Sequence, residues 1–243
     1  MTATATVSRF DPERAFSSHP SEQTDNNYKG IFVIHRRRVG LLIHNKHLIG
    51  ENVSTNLMID IETLGTSKNS VILSIGAVQF SEKGVEKKFY VQIDPTSCTD
   101  WGLQIDARTV MWWLDQSDEA RKALSSTKGE ALDVALDMLI AAFKWKDVTV
   151  WANGIDFDFT ILEEAMKATG RAVPWQFWSK MDFRTIKNLA PRDVYNACKV
   201  ENPVAHNALA DATAQAATLI NLQQALSFGM PVAAKKKDRK SVV

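Results

Sequence analysis

Cysteine is scarce in this chain: 243 residues carry two, Cys98 and Cys198, far apart and in no metal-spaced pair. That excludes a disulfide framework and a zinc cluster, and a reducing, cytoplasmic setting suits such a chain. A dominant charge is missing too. With 29 Lys and Arg against 28 Asp and Glu, the net charge is +1. A chain-wide field for a polyanion is therefore excluded, and any basic surface has to be local. No apolar run reaches membrane-spanning length. Near the start, Ile31 to Ile34 is broken at once by His35, Arg36, Arg37 and Arg38. It is too short and too late for a signal peptide or a span, so no membrane is expected as a partner. Histidine is thin as well: of the five, only His206 lies after residue 50.

What is present fits one sizeable domain, with 45% apolar residues and no internal repeat. Residues 1–55 read as an N-terminal extension, its first half polar and without period, and so disordered. Its two short apolar runs around Arg36–Arg38 suit a loosely attached hairpin or sequence outside the folded unit. The domain is expected over 56–228, followed at 229–243 by a basic disordered tail that carries Lys235, Lys236, Lys237, Asp238, Arg239 and Lys240.

Within the domain, Leu57 to Glu62, Val71 to Phe80 and Lys88 to Ile93 read as strands joined by tight turns, an antiparallel meander. A short helix over Arg108 to Leu114 places Val110, Trp113 and Leu114 inward. A second opens at Ser117, and a longer amphipathic one runs from Gly129 to Phe143 with Ala131, Val134, Ala135, Met138, Leu139 and Ala142 as its stripe. Val148 to Trp151 is a buried strand, Phe157 to Thr169 a helix, and Met181 to Phe183 a short strand before a turn or two of helix. Pro203 stops any earlier helix. The last helix, Asn207 to Leu226, carries Leu209, Ala212, Ala216, Leu219 and Leu222. A meander followed by alternating strands and helices predicts one α/β domain with a mixed sheet.

Asp60 and Glu62 alternate onto one face of the first strand, roughly 6.6 Å apart. Two carboxylates on a buried strand repel and are costly to desolvate, and a divalent cation with oxygen ligands relieves both costs; the alternative is that the pair marks the solvated end of the strand. The strand ending at Trp151 delivers Asp156 and Asp158 into a helix start. Either can face the pair: Asp156 suits the N-cap, and Asp158 the first turn, where it is free to bind metal. His206 and Asp211 are five apart and cannot share a face of one helix. With Asn207 as N-cap, His206 falls on the preceding loop and Asp211 on the first turns. Four carboxylates and one imidazole drawn from separate segments suit two-metal phosphodiester hydrolysis, with His206 as general base.

The motifs Asp60-Ile61-Glu62-Thr63, Phe157-Asp158 and His206 to Asp211, in that order, resemble the DEDD superfamily of 3′–5′ exonucleases in its histidine-containing branch. Ile72 to Ala77 and Trp112 to Ser117 further resemble a subgroup of phage-type exonucleases and a mycobacterial exoribonuclease. The likeness covers Asn56 to Leu226. It implies a ribonuclease H-like fold and two Mg2+ or Mn2+ ions on Asp60, Glu62, Asp158 and Asp211, and it favours Asp158 over Asp156. It implies hydrolysis of single-stranded DNA or RNA from the 3′ end, with DNA slightly favoured, releasing nucleoside 5′-monophosphates. It also implies Thr63 and Leu64 beside the terminal nucleotide, and it is compatible with a homodimer. For Leu64 and Trp112, core packing and substrate contact both stay open. Asp182 and Arg184 are expected to be structural supports. A binding module that kept the fold without the chemistry, and an endonuclease, are the competing readings.

Overall fold

The structure of the chain, a computed structural model, describes residues 55–124, 129–202 and 204–230. The N-terminal extension with Arg36–Arg38, Pro203 and the lysine-rich tail from Pro231 lie outside the described residues.

Three strands form the expected meander: β1 (Thr55–Thr63), β2 (Ile72–Ser81) and β3 (Gly84–Gln92). β4 (Val148–Ala152) and β5 (Lys180–Asp182) join in parallel on the far side of β1, giving the order β3-β2-β1-β4-β5. This is the mixed sheet that the strand and helix pattern predicts. Strand alternation sends side chains to two separate cores. Leu57, Ile59 and Ile61 pack with Val148, Val150 and Ala152 against α4 (Leu132–Ala142) and α5 (Ile155–Ala168). Met58, Val78, Phe80 and Trp151 face the other way, onto α6 (Phe183–Leu189), α7 (Arg192–Cys198) and α8 (Ala208–Leu226). Met230 is buried in that second core.

The α8 stripe is as expected, with Ala212, Ala216, Leu219 and Leu222 buried and Leu209 half-buried. Its small residues let the helix lie close to the sheet. At the helix start the approach is closer still: a β-carbon on Gly76 of β2 would collide with the backbone of Ala208 and Leu209. Only glycine fits there.

Several expectations need correction. On α4 the buried residues are Leu132, Ala135, Leu136 and Leu139, while Val134 and Met138 are exposed. The helix has apolar residues nearly all round, so two overlapping stripes satisfy the same period. In α2 (Ala107–Leu114), Trp113 is buried but Leu114 is exposed, because the helix ends there and its last turn faces solvent. α1 (Pro95–Asp100) and α7 were not anticipated. α1 is a single capped turn after Asp94, too short for a periodic signal.

Candidate active site

β4 pairs with β1 only as far as Met58 opposite Trp151. Beyond that point β1 runs on alone on that side, carrying Asp60 and Glu62 on the same face as Met58. The chain leaving β4 turns at Gly154 into α5, whose first turn fills the space. Asp158 is buried there, 4% exposed, and its Oδ1 accepts the backbone N–H of Ile61 at 3.2 Å. Asp158 thus supplies the partner that β4 no longer offers.

Asp156 is not the N-cap of this helix. α5 begins two residues earlier than the cap requires, Gly154 takes the cap position with φ 115°, and Asp156 is exposed to solvent. A side chain at Gly154 would collide with the Arg184 guanidinium. Arg184 donates from Nη2 to the Asn153 carbonyl at 2.6 Å. Asp182 Oδ1 accepts the Gly154 N–H at 3.0 Å and also caps α6. Asp182 and Arg184 therefore clamp the turn that presents Asp158, the structural part expected of them.

α8 closes the site from the other side. Asn207 is its N-cap, with Oδ1 accepting the Ala210 N–H at 3.0 Å. His206 therefore sits outside the helix, in the left-handed region at φ 60°, and Asp211 lies in the first turn. A non-glycine residue there costs about 1–3 kcal/mol and needs surroundings that hold it. The holders are aromatic. The His206 ring stands edge-to-face against Trp112 and Trp113, with centroids 4.8 and 5.8 Å away. Trp113 is anchored by its Nε1, which donates to the Thr63 carbonyl at 2.9 Å.

Asp60, Glu62 and Asp211 each offer an oxygen within 4.8 Å of the others. Burial pushes the Asp60 carboxyl well above the usual range, and the charges of Asp158, Glu62 and Asp211 raise it further. Burial likewise pushes Glu62 up to about 8, helped by Asp211 and Asp158. Asp158 is raised to about 7 by burial, against the pull of the Ile61 N–H. Among the described residues no lysine or arginine forms an ion pair with any of the four.

A divalent cation suits this set. The donors are hard oxygens, they lie close together, and burial and mutual repulsion make their anionic form costly until a positive charge arrives. The side-chain oxygen of Gln215, beside Asp60, is buried with no hydrogen-bond partner. The fit thus rests on the donor chemistry and on a polar atom that the protein itself leaves unsatisfied.

Next to the acids is a cleft of about 510 Å³, lined among others by Glu62, Thr63, Arg108, Thr109, Trp112 and Phe157. Trp112 is 44% exposed and Trp113 is 1% exposed, the split that their adjacency requires. Thr63 is buried, and its hydroxyl donates to the Gly65 carbonyl at 2.7 Å. Leu64 packs between two core clusters. Its backbone N–H goes to Val71 and its carbonyl to Asp106.

Two side chains at the site escape sequence reading. Gln215 Nε2 donates to Asp60 Oδ1, and Asn202 Nδ2 donates to Asp211 Oδ1, both at 2.9 Å. Gln215 follows Asp211 by one helical turn, which was a usable signal. Asn202 lies on an irregular loop and offered none.

Comparison with known proteins agrees with this architecture. An exodeoxyribonuclease of Enterobacteria phage T4 is 25% identical over 162 residues, covering 54% of this chain and 69% of the phage protein. Among solved structures, the zinc-bound E. coli exonuclease I–ssDNA complex superposes with a TM-score of 0.56 at 15% identity, over 72% of this chain. E. coli exonuclease I with a dA16 oligonucleotide gives a TM-score of 0.52 at 18% identity, over 70% of this chain. The chain spans 41% of the length of each of these exonuclease I chains, and at such identities the likeness speaks for the fold. Residues 55–223 match the model of the 3′–5′ exoribonuclease Rv2179c-like domain. With that match running over most of its length, from the first strand to the last helix, the chain belongs to the Rv2179c-like exoribonuclease domain family.

Proposed function

We propose that the chain is a metal-dependent 3′–5′ exonuclease. It hydrolyses the terminal phosphodiester bond of single-stranded nucleic acid and releases nucleoside 5′-monophosphates. The observation that carries this reading is the close grouping of Asp60 and Glu62 of β1 with Asp211 of α8, with Asp158 hydrogen-bonded to the same strand, beside an open cleft. The four carboxylates would hold two Mg2+ or Mn2+ ions. When bound, such ions stabilise charge on the attacking and leaving oxygens of an in-line displacement.

His206 accepts a proton from the attacking water, and the Trp112–Trp113 edge holds its ring for that task. The water oxygen bonds to phosphorus as the bond to the 3′-oxygen breaks. One product is a nucleoside 5′-monophosphate, and the other is a strand one nucleotide shorter whose leaving 3′-oxygen takes a proton from solvent to become the new 3′-hydroxyl. A cleft of this volume is within the usual range of about 300–1,000 Å³ for ligand sites and takes the terminal nucleotide. Trp112 offers a ring face to its base, Arg108 offers a charge to phosphate, and Thr63 shapes the wall. Leu64 supports that wall from the core.

DNA is the leading substrate, supported by the phage exodeoxyribonuclease relative. RNA is the second reading, favoured by the family description. The test uses 5′-labelled single-stranded DNA and RNA of one sequence, with Mg2+ or Mn2+, and wild type against Asp60→Ala. A stepwise ladder shortening from the 3′ end is expected, absent with chelator and reduced on the order of 10³-fold in the variant, the scale of several kcal/mol of lost charge stabilisation. The faster ladder identifies the sugar preference. Both strands bound yet left intact with either metal would return the chain to the class of binding modules. Sedimentation of the same sample checks the homodimer.

A further inference from the structure

Gln215 lies on α8 four residues after Asp211, so both project from one face of the helix. Its Nε2 reaches across to β1 and donates to Asp60 Oδ1 at 2.9 Å. Its Oε1 is buried with no partner. Turning the carboxamide over would put that oxygen against the carboxylate, so the charge on Asp60 fixes which end faces it. The amide therefore spends its donor on Asp60 and leaves its own oxygen unsatisfied, a cost of about 1–3 kcal/mol for a buried polar group. A residue kept for packing alone would avoid that cost as leucine or methionine.

We propose that Gln215 is a positioning residue of the cation site. It pins one oxygen of Asp60 so that the carboxylate keeps a fixed orientation toward Glu62 and Asp211. A lysine at this position would also hold Asp60, but its charge would neutralise the carboxylate and compete with a cation. The carboxamide orients without neutralising. Because Gln215 and Asp211 ride on the same rigid helix, the hydrogen bond also ties the β1 carboxylates to the α8 carboxylate at a set separation. The inference rests on the metal-dependent reading above and adds to it the group that holds Asp60.

The test is calorimetric titration of the full chain with Mn2+ alone, without nucleic acid, for wild type, Gln215→Met and Gln215→Asn. Methionine keeps the volume and removes the donor. Asparagine keeps the amide but is one methylene too short to reach. Both variants are expected to bind Mn2+ about 10–100-fold more weakly, the range for lost support of a metal ligand. Their exonuclease activity should return at saturating Mn2+, with KM for the oligonucleotide unchanged. Circular dichroism identifies folded variants, and Gln215→Asn serves if Gln215→Met does not fold. A folded variant with Mn2+ affinity within about twofold of wild type, well short of that range, overturns the role of Gln215 and leaves the metal-dependent reading standing. Wild type that takes up no Mn2+ overturns both.

Discussion

On the outer surface, Asp137 of α4 meets Arg171 through two parallel hydrogen bonds, Nε to Oδ1 at 2.8 Å and Nη2 to Oδ2 at 2.7 Å. The guanidinium holds the Asp137 carboxyl below its usual range. At the carboxyl ends of β1 and β4, Asp60, Glu62 and Asp158 are pushed the opposite way, all by burial and the first two also by neighbouring carboxylates. The same residue types are satisfied in one place and left wanting in the other. The surface pair carries its own counter-charge in the sequence. Asp60 at the strand end and Asp211 on α8 are each served by an amide, Gln215 and Asn202, which orient without neutralising. A fold that only needed to be stable would have placed an arginine among them.

The largest effect should come from removing a charge at the strand ends. Glu62→Gln is expected to lower nuclease activity on the order of 10³-fold, by the charge-stabilisation argument used for Asp60. In chelator at pH 8 the same variant should melt higher than wild type, by roughly 2–4 °C for each kcal/mol of relieved repulsion. Lower melting in chelator would mean that Glu62 serves the fold first.

Next in size is the pH dependence of the metal-free protein. Glu62 titrates near 8 in the fold against an ordinary 4.5, and Asp158 near 7 against 3.8. The folded state therefore binds these protons more tightly than the unfolded chain does. Their contribution to stability is complete below the ordinary values and is lost as pH climbs through the raised ones. Melting temperature in chelator should fall between about pH 4.5 and 8, and Mn2+ should reverse most of that fall at the upper end. Glu62→Gln should flatten the profile.

The smallest effect belongs to the surface. Arg171→Ala removes the surface pairing with Asp137 and Asp133 and the bond to the Thr169 carbonyl, and should shift the melting temperature by roughly 2–4 °C, with activity unchanged. A large loss of activity would show that the two sets of carboxylates are coupled.

Much of the site was legible because its chemistry sits on the most periodic pieces. β1 is short and apolar with Asp60 and Glu62 in step, and α8 announces its start through Asn207, which resolves the awkward spacing of His206 and Asp211. Legibility failed where one pattern served two answers. On α4 two stripes share Ala135 and Leu139, and only the sheet decides between them. Asp156 looked like a cap because aspartate caps well, yet Gly154, held open for Arg184, took that position. The Arg184–Asp182 clamp acts on a turn 28 and 31 residues away in the chain, and Asn202 sits on an irregular loop, so neither leaves a periodic signal.

The contact at Gly76 has a further bearing. Where Gly76 of β2 meets the start of α8 there is no side chain between them, only backbone against backbone. The gap that separates the strand-borne acids from His206 and Asp211 is therefore a fixed gauge, built from atoms that every sequence shares. Substitutions elsewhere in the core can soften or stiffen the domain without resetting it. Even alanine at position 76 would act as a shim, moving half of the site away from the other half without touching any of its residues.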